Sequence, residues 1–187
     1  MKDPVFIQQM IQYGREAGEK VKQEFSTITP QQLNWKPGED NWSIGQCLDH
    51  LILSDCAYFP TFKKIAEGEF KESFWENWSP FGGFFGRMMV FLLQEKVKKK
   101  MNAPKKLLPS ESKIEPEILE RFQKHLDSFI EYINDCRMVD IDKTHITSPV
   151  SGFVTYSLRN TIKFLVQHEH RHINQAIKIK NNKNFPV

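Results

Sequence analysis

Two imidazoles four residues apart on one helix face can converge on a single ion. The run Gln167-His168-Glu169-His170-Arg171-His172 places His168 and His172 at that separation. The pair falls on the apolar side of its segment, where uncharged imidazoles without partners are costly to bury. A third histidine, His50, lies on the expected buried side of another helix. Surface histidine pairs are common, so it is the inward register and His50 that turn this pattern into a divalent-metal site. Imidazole suits zinc, nickel, copper and iron, and affinity alone does not choose among them. Three protein ligands leave a coordination position open for water or substrate, as catalytic sites do. His170 is about 200° around the helix from His168 and from His172 and is expected to face solvent.

The same run matches H-E-x-x-H, the zinc-protease pattern in which the glutamate is general base and a further ligand follows downstream. The 15 residues after His172 contain no His, Asp, Glu or Cys, so a protease site is not completed in the usual way. Glu169 is then expected to flank the metal site or make a surface contact. Gln175 shares the face of His172 and, like Gln46 and Glu169, is a candidate for the groups surrounding the ligands or meeting substrate. Cys47, one turn before His50, reads as a buried structural thiol in preference to a ligand. His125 and His145 read as ordinary, one beside a core stripe and one in a loop.

Four segments must position these residues. In the first, Ile7, Ile11, Gly14, Gly18, Val21 and Phe25 recur at helical steps, and Pro30 closes the segment. The second starts near Ser43, a capping residue, and carries Cys47, Leu51, Tyr58, Phe62 and Ile65 on one face. The third starts around Pro116, with Ile118, Phe122, Leu126, Phe129 and Ile133 inward. The fourth runs from about Tyr156 to Lys180, with Leu158, Ile162, Leu165, His172, Ala176 and Ile179 on one side. Residues 140–155 read as a long connection, and strand signals are weak throughout. Between the second and third segments lies an aromatic-rich, irregular insertion. Within it a helix is expected from Gly86 to about Met101, and the aromatics of 74–91 read as a packed loop in preference to a mobile cover over a pocket. The pattern is an all-α helical bundle.

A chain of 187 residues suits one domain, 1–187, with a real core. A net charge of +3 is too mild to indicate nucleic acid, and the Lys96, Lys98–Lys100, Lys105, Lys106 cluster reads as a solvated helix end and loop. The longest apolar run, Met88–Leu93, is far below the roughly 20 residues that span a bilayer, and no signal core follows Met1. With 3 cysteines and no C-x-x-C pair, neither a disulfide framework nor a thiolate zinc site is indicated. The expectation is a cytoplasmic protein with no membrane partner.

The segment Asn41-Trp42-Ser43-Ile44-Gly45-Gln46-Cys47-Leu48-Asp49-His50-Leu51 resembles the second-helix motif of the DinB-like superfamily. The run His168-Glu169-His170-Arg171-His172-Ile173-Asn174-Gln175 resembles its closing helix, H-E-x-R-H-x-x-Q. The stretch Thr29-Pro30-Gln31-Gln32-Leu33-Asn34-Trp35-Lys36-Pro37 is also similar, whereas the aromatic middle matches poorly. The resemblance implies an up-down-down-up four-helix bundle, frequently a homodimer, with a metal held by His50, His168 and His172. Characterised members of that superfamily include thiol S-transferases and a thiol-dependent isomerase. The implied function is a metal-dependent transferase or hydrolase acting on a small molecule, with zinc or nickel and a low-molecular-weight thiol cosubstrate. The alternatives are a non-catalytic, metal-stabilised binding or dimerisation module, or a vestigial site.

Overall fold

Proline and hydroxyl caps decide where the helices of this chain begin. The computed structural model describes residues 2–78, 82–92, 104–111 and 113–186. Helix α1 (Pro4–Phe25) opens with Pro4 in its first turn and Asp3 Oδ1 accepting from the Phe6 amide at 3.0 Å. Short α2 (Pro30–Asn34) and α3 (Ile44–Cys56) each start with a capping box, Thr29 with Gln32 and Ser43 with Gln46. α4 (Phe59–Ala66) continues the line of α3 after a turn, and Gly68, at φ 71°, ends it in the left-handed region. α5 (Phe74–Trp78), α6 (Gly82–Leu92), α7 (Ile118–Asp135) and α8 (Leu158–Lys180) follow.

The core is the meeting of four apolar faces. Ile7, Ile11, Gly14, Gly18, Val21 and Phe25 of α1 are all buried, as are Ile118, Phe122, Leu126, Phe129 and Ile133 of α7. Close contacts give the directions. Asp3 meets Arg159, Tyr13 meets His170 and Glu24 meets Lys180, so α1 and α8 are parallel. Asp55 meets His125 and Phe59 meets Tyr132, so the α3–α4 line is parallel to α7. Trp42 meets His172 whereas Tyr58 meets Phe164, so α3 runs against α8. The bundle is therefore up-down-down-up.

Three local expectations give way. The second bundle helix is broken at Ala57–Tyr58, because Pro60 cannot donate to the ladder and its ring clashes with the carbonyl four residues back. Residues 140–155 are not merely a connection. β1 (His145–Ser148) pairs antiparallel with β2 (Ser151–Ser157), Ile146 opposite Tyr156 and Thr147 opposite Thr155. The hairpin takes Tyr156 from the expected start of α8, and Ser157 becomes its cap. Glu76 accepts from the Thr147 amide at 2.8 Å and Glu72 from that of His145 at 2.7 Å, so α5 and its approach cover the free edge of β1. Finally, the aromatic middle is not a loop where it is described: α6 starts four residues before Gly86 and packs on β2 and α8. Phe74, Trp78, Phe84 and Phe91 remain exposed. The second half of the helix expected to Met101, and the lysines Lys96 and Lys98–Lys100, lie outside the described residues.

Two glycines test the packing. A Cβ on Gly45 would stand 2.9 Å from Ile114 Cβ, which is fixed to a backbone that Asn34 holds through both its amide and its carbonyl. A Cβ on Gly18 would stand 2.7 Å from a terminal methyl of Leu126, a side-chain end set apart from its backbone, with Gln123 in ordinary contact. Gly45→Ala is therefore expected to cost about 1–3 kcal/mol, whereas Gly18→Ala, offset by about 1 kcal/mol of helix propensity, should be near neutral. Urea denaturation of both variants measures the difference.

Candidate metal centre

α3 and α8 run antiparallel in contact, and that packing brings the three histidines together. His50 Nε2 lies 3.3 Å from His168 Nε2. Ring centroids are 4.5 Å apart for His168 and His172, 4.7 Å for His50 and His172, and 5.1 Å for His50 and His168. Each ring offers a nitrogen within 4.8 Å of the others'. Two nitrogens 2.0–2.1 Å from one tetrahedral ion lie about 3.4 Å apart, so the donor set fits a first-row divalent cation.

The outer faces of the rings fix which nitrogen points inward. His50 Nδ1 lies 2.6 Å from the Leu107 carbonyl and must donate to it, leaving the Nε2 lone pair turned to the centre. His172 Nδ1 lies 3.1 Å from Gln175 Oε1, which does the same for that ring. Leu107 is brought there by the ties of its segment to α3. Ser110 donates its amide to Asp49 at 2.9 Å and accepts from Gln46 Nε2 at 2.8 Å. The amide of Gln46 is thus engaged by Ser110 and by its own cap, away from the rings. Trp42 closes one side, 4.7 Å from His50 and 5.4 Å from His172. Cys47 is fully buried, and burial pushes its thiol far up, so it stays a protonated core residue.

Burial dominates the protonation of the rings. It holds His168 well below the ordinary imidazole value, reinforced by His172, His50 and Arg171. His172, half-buried as a residue but with its ring packed inward, is lowered to about 3 by burial, then by His50 and Arg171. His50 is lowered by burial against the opposing pull of Leu107 and Asp49. All three lone pairs are available at neutral pH, as ligands require.

Two expected exposures are overturned. His170 does point away from the centre, but α1 covers that side. Its ring stacks on Tyr13 at 3.7 Å and its Nε2 donates to the Tyr13 carbonyl at 2.7 Å. Glu169 makes no surface contact: it is fully buried, facing Asp55 of α3 and His125 of α7. His125 Nε2 lies 3.1 Å from Asp55 Oδ2, and since burial lowers His125, this is a hydrogen bond from a neutral ring. Burial raises Asp55 to about 7 and Glu169 well above the usual carboxyl range. The signal for this second group was a charge on a core stripe, since Asp55 stands four residues after Leu51 and seven after Leu48.

The sequence model of the DinB superfamily matches residues 15–176, which hold all three histidines. The solved structure of YfiT from Bacillus subtilis, described as a probable metal-dependent hydrolase with an unusual four-helix bundle topology, aligns with a TM-score of 0.59. The alignment covers 96% of this chain and 89% of that one at 16% identity, which is a likeness of fold. No curated protein matches the chain.

In the metal-free chain, unfolded imidazoles take up protons near pH 6.5 while the folded ones resist to far lower pH, about 3 for His172. The unfolded state then binds more protons, so stability present above about pH 6.5 is lost as pH falls. Asp55 and Glu169, both raised, act with the opposite sign and are common to wild type and variant. His172→Gln should therefore show a shallower acid decline, by about 1.4 kcal/mol per pH unit between pH 6 and 4. Chemical denaturation of chelator-treated protein across that range checks it.

Proposed function

This chain belongs to the DinB superfamily, and we propose that it is a metal-dependent enzyme acting on a small molecule through His50, His168 and His172. The convergence of three neutral, buried imidazoles from two antiparallel helices is the observation that carries this reading. When bound, a divalent cation supplies Lewis acidity that makes a nucleophile of water or a thiol at neutral pH. The remaining work belongs to the protein. Leu107 and Gln175 hold the His50 and His172 rings in the tautomer that presents Nε2 inward. Trp42 shields the rings from bulk water while His172 stays partly accessible, which gives a small substrate a side from which to approach.

Three protein ligands leave room for water, favouring hydrolysis, or for a thiolate, favouring thiol transfer to an electrophile. We assign zinc or nickel as the metal and a low-molecular-weight thiol as the cosubstrate of the transfer reaction. Residues 1–187 act as one folded unit, in a cytoplasmic homodimer, with no nucleic-acid or membrane partner. Family resemblance supports the dimer. Among the described residues no helix is long and apolar enough to cross a membrane.

Protein purified without a histidine tag should hold metal, and His50→Ala, His168→Ala and His172→Ala should each lower its content by about one equivalent. His170→Gln, altered on the Tyr13 side away from the centre, should keep it. Elemental analysis decides, and equal loss in His170→Gln would refute the assignment. Conjugation of a low-molecular-weight thiol to a small electrophile, and ester hydrolysis, are then compared in wild type and His50→Ala. Either activity should fall at least 100-fold in the variant; rates unchanged by it would leave a non-catalytic binding module.

A further inference from the structure

The geometry points to a second cation site in the bundle core, formed by Asp55 of α3, His125 of α7 and Glu169 of α8, which takes a divalent first-row transition ion. One donor atom from each lies within 4.8 Å of the others. All three residues are buried, Asp55 and Glu169 completely. A cation at their centre would draw each donor in by less than about 1 Å to reach ligand distances of 2.0–2.2 Å. One imidazole and two carboxylates from facing helices is a donor set that bundle interiors use for such ions.

A second observation points to a ligand independently. Asp55 Oδ1 and both oxygens of Glu169 are buried without a hydrogen-bond donor among the described residues. Buried carboxylate oxygens without donors are costly. Two occupants of that space can supply what is missing: a proton held between the two carboxyls, or a cation. The cation serves more of the oxygens at once and displaces the proton that His125 Nε2 otherwise donates to Asp55. It also balances charge, because two carboxylates and a neutral imidazole around a divalent ion sum to zero, a state suited to complete burial. The histidine centre, by contrast, keeps a net positive charge for an anionic nucleophile. Phe59 stacks on the His125 ring at 5.2 Å and holds its plane, while Cys56 Sγ lies 3.7 Å from its Nδ1.

Metal-free full-length protein is loaded with Zn²⁺, freed of excess and analysed for bound zinc. Wild type is expected to hold about two equivalents, and His50→Ala, Asp55→Asn and Glu169→Gln about one each, with helix content by circular dichroism unchanged. One equivalent in wild type that His50→Ala removes and Asp55→Asn keeps overturns the second site, leaves the histidine centre standing and assigns a shared proton to the carboxyl pair. One equivalent with the reverse pattern supports the second site and refutes the histidine centre. No bound zinc overturns both. Should the core variants fail to fold, anomalous diffraction from zinc-loaded crystals of the unaltered chain decides. A peak among Asp55, His125 and Glu169 is expected, and its absence overturns the site.

Discussion

Ionisable side chains taken out of water must be neutralised or given partners, and among the described residues three histidines and an Asp–His–Glu group share the interior formed by α3, α7 and α8. His50, His168 and His172 escape the cost by staying uncharged, with burial holding their protons off. Asp55 and Glu169 meet it with the opposite shift, burial raising both so that they resist ionisation, while burial lowers His125 as it does the other rings. The two groups adjoin along α8, where His168 and Glu169 are consecutive and turn to different neighbours. The crowding of α8 follows from this: α1, α3 and α6 all pack on it, and it has no fully solvated face in its central turns.

Much of what orients the histidines is main chain. The Leu107 carbonyl fixes the His50 tautomer, and that carbonyl is held by hydrogen bonds between Ser110 and the α3 side chains Asp49 and Gln46. The capping box that begins α3 therefore serves twice. Gln46 Oε1 closes the helix start, and its Nε2 reaches the segment that supports the site. Such an arrangement gives the rings a rigid outer shell without adding charge to the core.

Periodicity made the stripes of α1 and α7 legible in advance, because each helix shows one face to the core and the 3.6-residue repeat is then unambiguous. The inward placement of His168 and His172 was legible for the same reason, since a four-residue step on an inward face leaves little freedom. Periodicity failed where a helix is enclosed on several sides. On α8 it separated His170 from the other two correctly, but could not say that Tyr13 covers the far side. Asp55 escaped notice, and His125 read as ordinary, because a single polar group on an apolar stripe shows its meaning only with its partners from other helices. The hairpin was hidden by its brevity, four residues pairing with part of seven. Leu107 could not be found at all, since a carbonyl leaves no trace in residue type.

The pairing of α3 with α8 also imposes an order of assembly. His50 and His168 are 118 positions apart, and the parallel pairs of the bundle force long excursions before neighbouring helices meet. Closing such a loop carries entropy that only the completed core repays. During synthesis, α1, α3 and α7 exist before either set of donors is complete, and the last helix delivers His168, Glu169 and His172 together. Neither constellation can therefore be assembled before α8 has been made.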